Sequence, residues 1–368
     1  MTPFAFVVHP IDAKRDVARK YPFARFMPEG FIEWFLRQKH PMVLSEITGV
    51  RSLTGAETKG WFIGCPLTPK MMLELPLEFV YRRIVECCEL AAEQGAKVIG
   101  LGAFTAVVGD GGKTIAERSP IAVTTGNSYT VATAIDGALD AAKMMGIETH
   151  KATLAIVGAT GSIGRTCTEL MAPLFERTIV VGRDAARTEE LAAELGGSVV
   201  ASTSVDAVRD ADVIVTVTSA EGAVIGPEHL KSGAVVCDVA RPRDVSVRVA
   251  KERDDVLVIE GGVVAVPGGV QFGMEFGFPP ETAYACMSET MLLALEDRPV
   301  SYTLGKDVAV EQVEEMRQLA AKHGFGLAGY RSFEKAVTPQ EIERVKAAVQ
   351  RRKGPGACAQ GKPSPELP

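Results

Sequence analysis

The sequence predicts an α/β fold: a Rossmann-type, doubly wound parallel sheet, with an N-terminal α/β substrate domain before it and a helical C-terminal part after it. Two observations lead to this prediction. From residue 153 onward, runs rich in valine and isoleucine alternate with amphipathic segments at intervals of about 15 to 30 residues, which is typical of parallel strands covered on both faces. A glycine-rich turn follows the first of these runs, where such folds bind nucleotides.

The length and composition agree with this class. A chain of 368 residues is long for one compact domain and suggests two. Hydrophobic residues make up 46% and charged residues 23%, which excludes wholesale disorder and a collagen-like fibre. The net charge of -6 argues against a protein that mainly coats nucleic acid or an anionic membrane, so an anionic partner must meet a local basic patch.

The N-terminal α/β domain is predicted over residues 1–150. Its predicted elements are strands at 4–8 and 96–104, a helix at 77–96 with one apolar face, irregular connections at 46–76, and a long helix at 128–148. Short apolar runs that end in glycine or proline indicate the buried strands. Gly95 and Gly146 indicate where the two predicted helices end.

The nucleotide-binding domain is predicted over residues 151–265. Its five strands are expected at 153–159, 178–182, 211–218, 234–240 and 256–261. A C-terminal helical part over 266–350 is expected to pack back on the substrate domain, with helices at 282–295, 309–323 and 339–352. The composition of residues 351–368 predicts a disordered tail.

The turn after the first strand of the second domain carries the nucleotide motif. Its residues are Gly158, Ala159, Thr160, Gly161, Ser162, Ile163 and Gly164. Glycine lets the backbone turn tightly and approach a pyrophosphate, and the following helix start offers free N–H groups and positive potential. The spacing is G-x-x-G-x-x-G, so a merely tight structural turn is the alternative.

The end of the second strand of this domain indicates the choice of cofactor. Arg183 and, one turn later, Arg187 can pair with a 2′-phosphate, which favours NADPH. The alternative is a solvated Arg183 with Asp184 bound to the ribose, as for NADH. Thr218, at the end of a later strand, is also predicted to contact the cofactor.

Seven cysteines are scattered without a CxxC pair, so neither a metal site nor a disulfide scaffold is predicted. The N-terminus has no signal-peptide pattern, and no run of 18 apolar residues occurs, so a cytoplasmic protein with free thiols and no transmembrane segment is expected. Five cysteines fit a core or tail position: Cys87, Cys88, Cys167, Cys237 and Cys358. Cys65, before a proline, is expected to be exposed.

Cys286 differs from the other cysteines because it lies near the start of a predicted helix that follows a loop rich in glycine and proline. The helix dipole there can lower the pKa of a thiol. Core packing and a nucleophilic role both remain open on the residues alone.

Several segments together resemble one enzyme family. They are LGAF (101–104), TTGN (124–127), GATGSIG (158–164), GGVV (261–264), AYACMSETMLL (283–293) and KHGF (322–325). Their order is similar to that of the long-chain acyl-[acyl-carrier-protein] reductases, over residues 4 to 330. The resemblance implies NADPH-dependent reduction of a fatty acyl thioester to a free aldehyde through an acyl-cysteine at the position of Cys286.

The chemistry that this resemblance implies needs a donor to the oxyanion of the reacting carbonyl. The candidates are the hydroxyls of Ser128 and Tyr129, or backbone N–H groups at the helix start. The chain departs from the family pattern where Tyr129 stands in place of an expected histidine. It also departs in a segment after Val264 that is richer in glycine and proline, and in an extension over 332–368.

A long-chain acyl thioester on an acyl carrier protein, or on coenzyme A, is the partner that the resemblance implies. An acidic carrier would need a basic surface. Two clusters could provide one: Lys14, Arg15, Arg19, Lys20 and Arg25, or Arg344, Lys346, Arg351, Arg352 and Lys353. An apolar channel could be lined by Phe272, Met274, Phe276 and Phe278, or by Met71, Met72 and Leu73. No nucleic acid partner is expected.

Two other readings of the sequence stay open. A dehydrogenase of the shikimate or amino-acid type shares the two-domain layout, but those proteins follow Gly126-Asn127 with Thr-Asp where this chain has Ser128-Tyr129, and no matching Lys/Asp pair is found. A nucleotide-sensing protein without turnover is the third possibility. Glutamyl-tRNA reductase is more distant, because its nucleophilic cysteine belongs to the first domain.

Overall fold

A computed structural model describes residues 1–20, 22–220, 222–275, 277 and 279–353. Two large sheets, of five and six strands, organise these residues, helices pack on both, and two small sheets of three and two strands lie in the C-terminal part. The predicted α/β class, with its doubly wound parallel sheet, is confirmed.

The N-terminal part forms a five-stranded sheet. Its elements are β1 (Phe4–Val8), α1 (Ala13–Lys20), α2 (Glu29–Gln38), β2 (Met42–Arg51), β3 (Glu57–Gly64), α3 (Pro69–Glu74), α4 (Leu77–Glu93), β4 (Val98–Gly100), α5 (Lys113–Arg118), β5 (Ala122–Thr124) and α6 (Asn127–Met144). The strand order is β2-β3-β1-β4-β5, with β2 antiparallel to β3 and the other neighbours parallel. Because β2 lies at the edge, most of its side chains stay exposed.

The central part forms a six-stranded sheet. Its elements are β6 (Thr153–Val157), α7 (Ser162–Met171), β7 (Arg177–Val181), α8 (Ala185–Leu195), β8 (Val199–Ser202), β9 (Val213–Thr216), β10 (Val235–Asp238), α9 (Val247–Glu252) and β11 (Leu257–Glu260). The order is β8-β7-β6-β9-β10-β11 and every pair is parallel. The strand order reverses between β6 and β9, which is where doubly wound sheets bind ligands.

The C-terminal part returns to both sheets. Its elements are β12 (Val263–Ala265), β13 (Thr282–Tyr284), α10 (Ala285–Leu295), α11 (Val310–His323), β14 (Gly326–Leu327), β15 (Arg331–Ser332), β16 (Lys335–Ala336) and α12 (Pro339–Lys353). Helix α10 is apolar on nearly all sides because it is buried against α6 and the N-terminal sheet. Its approach is so close that a Cβ on Gly100 of β4 would overlap Thr290 Oγ1.

Several expected elements are wrong in detail. Residues 46–76 are not irregular connections: they contain the end of β2, all of β3, and α3. The strand expected at 96–104 ends at Gly100. The helix expected from residue 282 begins at Ala285, because residues 282–284 pair with β12. Residues 351–353 of the expected tail are helical, while the rest of that tail, with Cys358, lies outside the described residues.

Two features are absent from the part of the chain that the structure describes. No helix in that part is long and apolar enough to cross a membrane. No group of three or more His, Cys, Asp or Glu side chains there could hold a metal ion.

Candidate active site

In the glycine turn between β6 and α7, the backbone packs closely against the loop after β9 and against the start of α7. Gly158 has a φ of +86°, and a Cβ there would lie 3.0 Å from the carbonyl oxygen of Val217. A Cβ on Gly164 would overlap the carbonyl oxygen of Gly158. Helix α7 begins after Gly161 without a side-chain cap, so its first N–H groups remain available to an anion. This cradle fits the pyrophosphate of a dinucleotide.

Thr218 lies beside this turn, but its hydroxyl is already bonded within the protein. Both the backbone N–H and the hydroxyl of Thr218 donate to the carboxylate of Asp244, and Thr216 donates to the same group. Asp244 is fully buried. Thr218 therefore holds the loop after β9 against Gly158, and this gives it a positioning role next to the cofactor site.

The residues that follow β7 have different partners. Asp184 accepts a hydrogen bond from the backbone N–H of Arg187 at 3.1 Å, so its carboxylate caps α8. The guanidinium of Arg187 donates to the carbonyl oxygen of Thr160 at 3.2 Å, which ties α8 to the glycine turn. Arg183 is exposed, and no residue in the described ranges pairs with it. Arg183 is thus available to a phosphate, while the carboxylate of Asp184, which could otherwise bind the ribose, caps α8.

Cys286 is the one cysteine of the six described that is not buried. The expectation that Cys65 is exposed is wrong: it is 1% exposed and packs in the core of the N-terminal part. The positions expected for the four cysteines Cys87, Cys88, Cys167 and Cys237 in the core are confirmed, since each is 0% exposed.

Cys286 occupies the second position of α10 and packs directly on the start of α6. Gly126, which precedes α6 with a φ of +74°, leaves so little space that a Cβ there would overlap the Cα of Cys286. Burial raises the pKa of the Cys286 thiol to about 12, although the backbone N–H of Met287 and the charge of Arg241 act to lower it. The expected lowering of this pKa is wrong, because desolvation outweighs the helix start.

A buried carboxylate lies one turn further along α10. Glu289 is 0% exposed and accepts hydrogen bonds from the hydroxyls of Thr124 and Thr303 and from the backbone N–H of Tyr129, the last at 2.9 Å. The Glu289 side chain therefore caps α6 from a different helix. Burial raises the pKa of Glu289, while these hydrogen bonds lower it.

Ser128 and Tyr129 are both buried, and their side chains have different surroundings. The Ser128 hydroxyl lies 2.6 Å from the Thr303 hydroxyl, which in turn donates to Glu289 at 3.0 Å. Ser128 therefore belongs to the Glu289 network. Tyr129 packs in the core, where burial and then the charge of Asp136 raise the pKa of its phenol.

Two further polar side chains lie close to Cys286 or to the helix start beside it. Asn127, the first residue of α6, donates its amide N–H to the Ser162 hydroxyl on α7 at 3.4 Å. Arg241 lies over the ring of Tyr284, with the guanidinium carbon 5.4 Å from the ring centre, and donates to the Tyr284 hydroxyl at 3.3 Å. The starts of three helices, α6, α7 and α10, thus lie together, and the thiol of Cys286 is beside them.

Sequence reasoning did not select Glu289, Asn127 or Arg241. A signal for Glu289 was present, because an acidic residue in an otherwise apolar helix must find hydrogen-bond donors in the core. Asn127 lies within a segment that the resemblance already includes. Arg241 follows β10 in a loop whose importance depends on where α10 returns, and the sequence does not show that return.

The expected channel and carrier surface are only partly supported. Phe272 is buried and its ring centre lies 6.0 Å from that of Phe62, while Phe276 and Phe278 lie outside the described residues. Met71 and Met72 are core residues of α3, not an apolar loop, and Leu73 is exposed. In the C-terminal basic cluster, three cations have carboxylate partners: Arg344 with Asp254, Lys346 with Glu343, and Arg352 with Asp212.

Comparison with known families places the nucleotide-binding part of the chain in context. The family described as shikimate / quinate 5-dehydrogenase matches residues 140–260. This range covers β6 to β11 and the glycine turn. The fold, the turn and this match define the class of this part of the chain: it is a Rossmann-type NAD(P)-binding domain of the kind found in NAD(P)-dependent oxidoreductases.

Two curated proteins are similar over most of this chain. The aminotransferase PigE from a Serratia species is 31% identical over 93% of this chain, which spans only 42% of that protein's length. The long-chain acyl-[acyl-carrier-protein] reductase from Synechococcus elongatus is 29% identical over 86% of this chain and 95% of its own length.

Among solved structures, the L-tryptophan dehydrogenase from Nostoc punctiforme is 13% identical, with a TM-score of 0.38 over 96% of this chain and 89% of its own. The glutamyl-tRNA reductase from Methanopyrus kandleri is 20% identical, with a TM-score of 0.30 over 77% of this chain and 57% of its own.

Proposed function

We propose that the chain reduces a long-chain fatty acyl thioester to a fatty aldehyde with NADPH, through an acyl group held on Cys286. The observation that carries the proposal is the position of that thiol. It is the one partly exposed cysteine among those described, and it packs on Gly126 beside the start of the nucleotide-binding helix. The similarity to the acyl-[acyl-carrier-protein] reductase, over 95% of that protein's length, supports the same reaction.

In this proposal residues 1–150 form the substrate domain, residues 151–265 form the NADPH domain, and residues 266–350 return the nucleophile to the first domain. NADPH, when bound at the glycine turn, supplies the hydride. Arg183 would bind its 2′-phosphate, and Arg187 would hold the turn in place. A cytoplasmic location and a donor that is either an acyl carrier protein or coenzyme A belong to the proposal as well.

The first chemical step is an exchange between a thiol and a thioester. Sγ of Cys286 forms a bond to the acyl carbon, the bond from that carbon to the donor sulfur breaks, and the proton of the Cys286 thiol passes to the leaving sulfur. Because the two thioesters are similar in energy, the step needs mainly orientation. The raised pKa of Cys286 keeps the resting thiol protonated, so this proton must move as the bond forms.

The developing oxyanion needs donors that are fixed in advance. The proposed donors are backbone N–H groups at the start of α10 and the amide of Asn127, the first residue of α6. The Glu289 network holds the start of α6 in position, so it serves this site through Asn127 and Gly126. Once the acyl carbon has accepted the hydride, its oxyanion re-forms the carbonyl and the bond from that carbon to Sγ breaks, which releases the aldehyde. The Cys286 thiolate that remains takes up a proton from solvent.

A dehydrogenase of the shikimate or amino-acid type is the second candidate, because the family match is to such enzymes. That match covers the nucleotide-binding part alone, so it leaves the substrate open. This candidate needs no acyl-cysteine, which makes the two functions separable by experiment. A nucleotide-sensing protein without turnover would show neither activity.

The test is to trap the acyl group. The 368-residue chain is incubated, without NADPH, with a long-chain acyl-CoA or with the same acyl group on acyl carrier protein. The donor is labelled in the acyl chain. We expect covalent label on the wild type, release of the label as aldehyde when NADPH is added, and loss of the label in Cys286→Ala. The turnover of Cys286→Ala should fall by at least about a thousandfold.

Cys65→Ala is the matched control, since it removes a buried core thiol and should leave the labelling unchanged. A wild type that never acquires the label would show the acyl-reductase proposal to be wrong. If Cys286→Ala acquires the label as the wild type does, the reaction stands and the assigned nucleophile is wrong. Oxidation of shikimate-type substrates by Cys286→Ala would establish the second candidate.

A further inference from the structure

Helix α2 and the short 3-10 turn before it (Pro22–Phe26) carry five exposed aromatic side chains: Phe23, and four others that we call the aromatic patch. They are Phe26, Phe31, Trp34 and Phe35, exposed to 77%, 46%, 57% and 39%. Large apolar side chains that cluster at a surface often mark an interaction site, whereas single exposed apolar residues are common and need no explanation.

The aromatic patch is separate from the face of α2 that packs on the core. Ile32 and Leu36 are buried and attach the helix to the N-terminal part. Phe31, Trp34 and Phe35 follow the spacing i, i+3, i+4 and form a second apolar stripe. The Phe31 and Trp34 ring centres lie 5.7 Å apart. Folding of the chain therefore does not explain this second stripe.

Two cations lie over rings of the aromatic patch, and a third lies at the end of the same helix. Arg25 lies 4.6 Å from the ring centre of Phe26, and Lys39 lies 4.5 Å from that of Phe35. Arg37, at the end of α2, contacts the ring of Phe79. None of these three cations is paired with an acidic side chain in the part of the chain that the structure describes.

The charge of this region differs from that of the whole chain. Residues 11–40 contain seven Lys and Arg and four Asp and Glu, a net charge of +3 in a chain of net charge -6. The acidic residues of α2 are already engaged: Lys70 lies 3.1 Å from Glu33 and 4.0 Å from Glu29. The free charge at the aromatic patch is therefore positive.

We propose that the aromatic patch docks the protein on the surface of a bilayer that contains anionic lipid. Rings of Trp and Phe partition to the headgroup level, and cations beside them bind lipid phosphates. Phe26 and Trp34 are more than half exposed, so most of each side chain is available to a surface that the protein contacts. No described helix can span a membrane, so the contact is with the surface.

Two other occupants fit the patch less well. A second copy of the chain, related by a two-fold axis, would place the unpaired cations of both copies against each other. An acidic protein would satisfy the cations but would need pockets for projecting rings. The inference goes beyond the proposed reaction and does not depend on it, because vesicle binding requires no turnover.

Vesicle binding by the full chain tests the proposal. Trp61→Phe leaves Trp34 as the single tryptophan of a chain that has two, so its fluorescence reports on the patch. We expect sedimentation with vesicles of mixed phosphatidylcholine and phosphatidylglycerol, a blue shift of Trp34 emission, and little binding to phosphatidylcholine alone. Arg37→Gln with Lys39→Gln should weaken binding about fivefold for each cation removed, and Phe26→Ala with Trp34→Ala by at least about tenfold.

The matched control is Leu174→Ala with Arg177→Gln, an exposed apolar and cationic pair on the nucleotide-binding part, which should bind as the wild type does. Absence of binding to anionic vesicles, or equal binding by the patch variants, would overturn the proposal. It would also be overturned by a dimer that Trp34→Ala dissociates, or by an acyl carrier protein that occupies the patch while vesicles do not.

Discussion

Helices α6 and α7 each begin after a parallel strand and a glycine. A side chain accepts a hydrogen bond from the first turn of α6, whereas α7 begins without a side-chain cap. At α7 the glycine turn brings backbone against backbone and leaves the helix start without a side-chain cap. At α6 the space beside Gly126 is filled by Cys286, and Glu289 accepts a hydrogen bond from the backbone N–H of Tyr129.

A helix start after a glycine turn can serve two purposes in this protein. An uncapped helix start is a site for an anion from outside, and the pyrophosphate of a dinucleotide fits α7. A helix start capped by an internal carboxylate is closed to such a ligand. Because Glu289 and Cys286 lie one turn apart on α10, the cap at α6 also fixes the position of the thiol.

The largest effect is expected at the close contact between α6 and α10. Gly126→Ala introduces a Cβ that overlaps the Cα of Cys286, in a left-handed conformation that alanine disfavours. We expect the free energy of unfolding in urea to fall by about 4 kcal/mol or more.

A glycine in the interior of the same helix provides the matched control. The nearest atom to a Cβ on Gly137 is 3.8 Å away, so Gly137→Ala should raise the free energy of unfolding by about 0.5 to 1 kcal/mol. The proposed role of the contact is contradicted if Gly126→Ala unfolds at the same urea concentration as the wild type.

The next effect concerns the carboxylate that caps α6. Glu289→Ala leaves the Tyr129 N–H and two buried threonine hydroxyls without their partner, and should cost about 3 kcal/mol. Glu289→Gln should cost about 1 kcal/mol, because its oxygen can accept from Tyr129 while its amide donates to a hydroxyl.

The contribution of Glu289 to the free energy of unfolding also depends on pH. Burial raises the pKa of Glu289, so the folded protein holds this proton more tightly than the unfolded chain does. Its contribution to stability is full below pH 4.5 and is lost as the pH rises through the raised pKa. Unfolding free energies measured at several pH values should fall with rising pH more steeply for the wild type than for Glu289→Gln. Parallel curves would mean that Glu289 keeps its ordinary pKa.

The sequence predicts the α7 side of the comparison better than the α6 side. The strands β6, β7, β9, β10 and β11 are buried on both faces, so their valines and isoleucines form runs that are easy to read. The glycine turn is a local motif. In contrast, β2 and β3 lie toward the exposed edge of their sheet, where β2 carries mostly exposed residues, so their sequences lack such runs.

The contacts that define the α6 side connect distant parts of the chain. Glu289 and Tyr129 are 160 residues apart, and residues 282–284 are a strand only because β12 lies beside them. The spacing of residues within the sequence does not predict either contact. The burial of Cys65 and the raised pKa of Cys286 depend in the same way on elements that pack from elsewhere.

The smallest effect tests what the open helix start at α7 receives. Arg183 is exposed and unpaired within the described residues, while Asp184 caps α8, so a 2′-phosphate would meet a free cation and no competing carboxylate. Arg183→Ala should lower the ratio of kcat/KM for NADPH to that for NADH by about tenfold, or about 1.4 kcal/mol. Arg187→Ala is the contrast: its guanidinium holds the Thr160 carbonyl of the turn, so both cofactors should lose affinity and the ratio should change little. The assignment of Arg183 is wrong if the wild type prefers NADH, or if Arg183→Ala leaves the ratio unchanged. The start of α7 would then bind the pyrophosphate, and Arg183 would not select for a phosphate on the ribose.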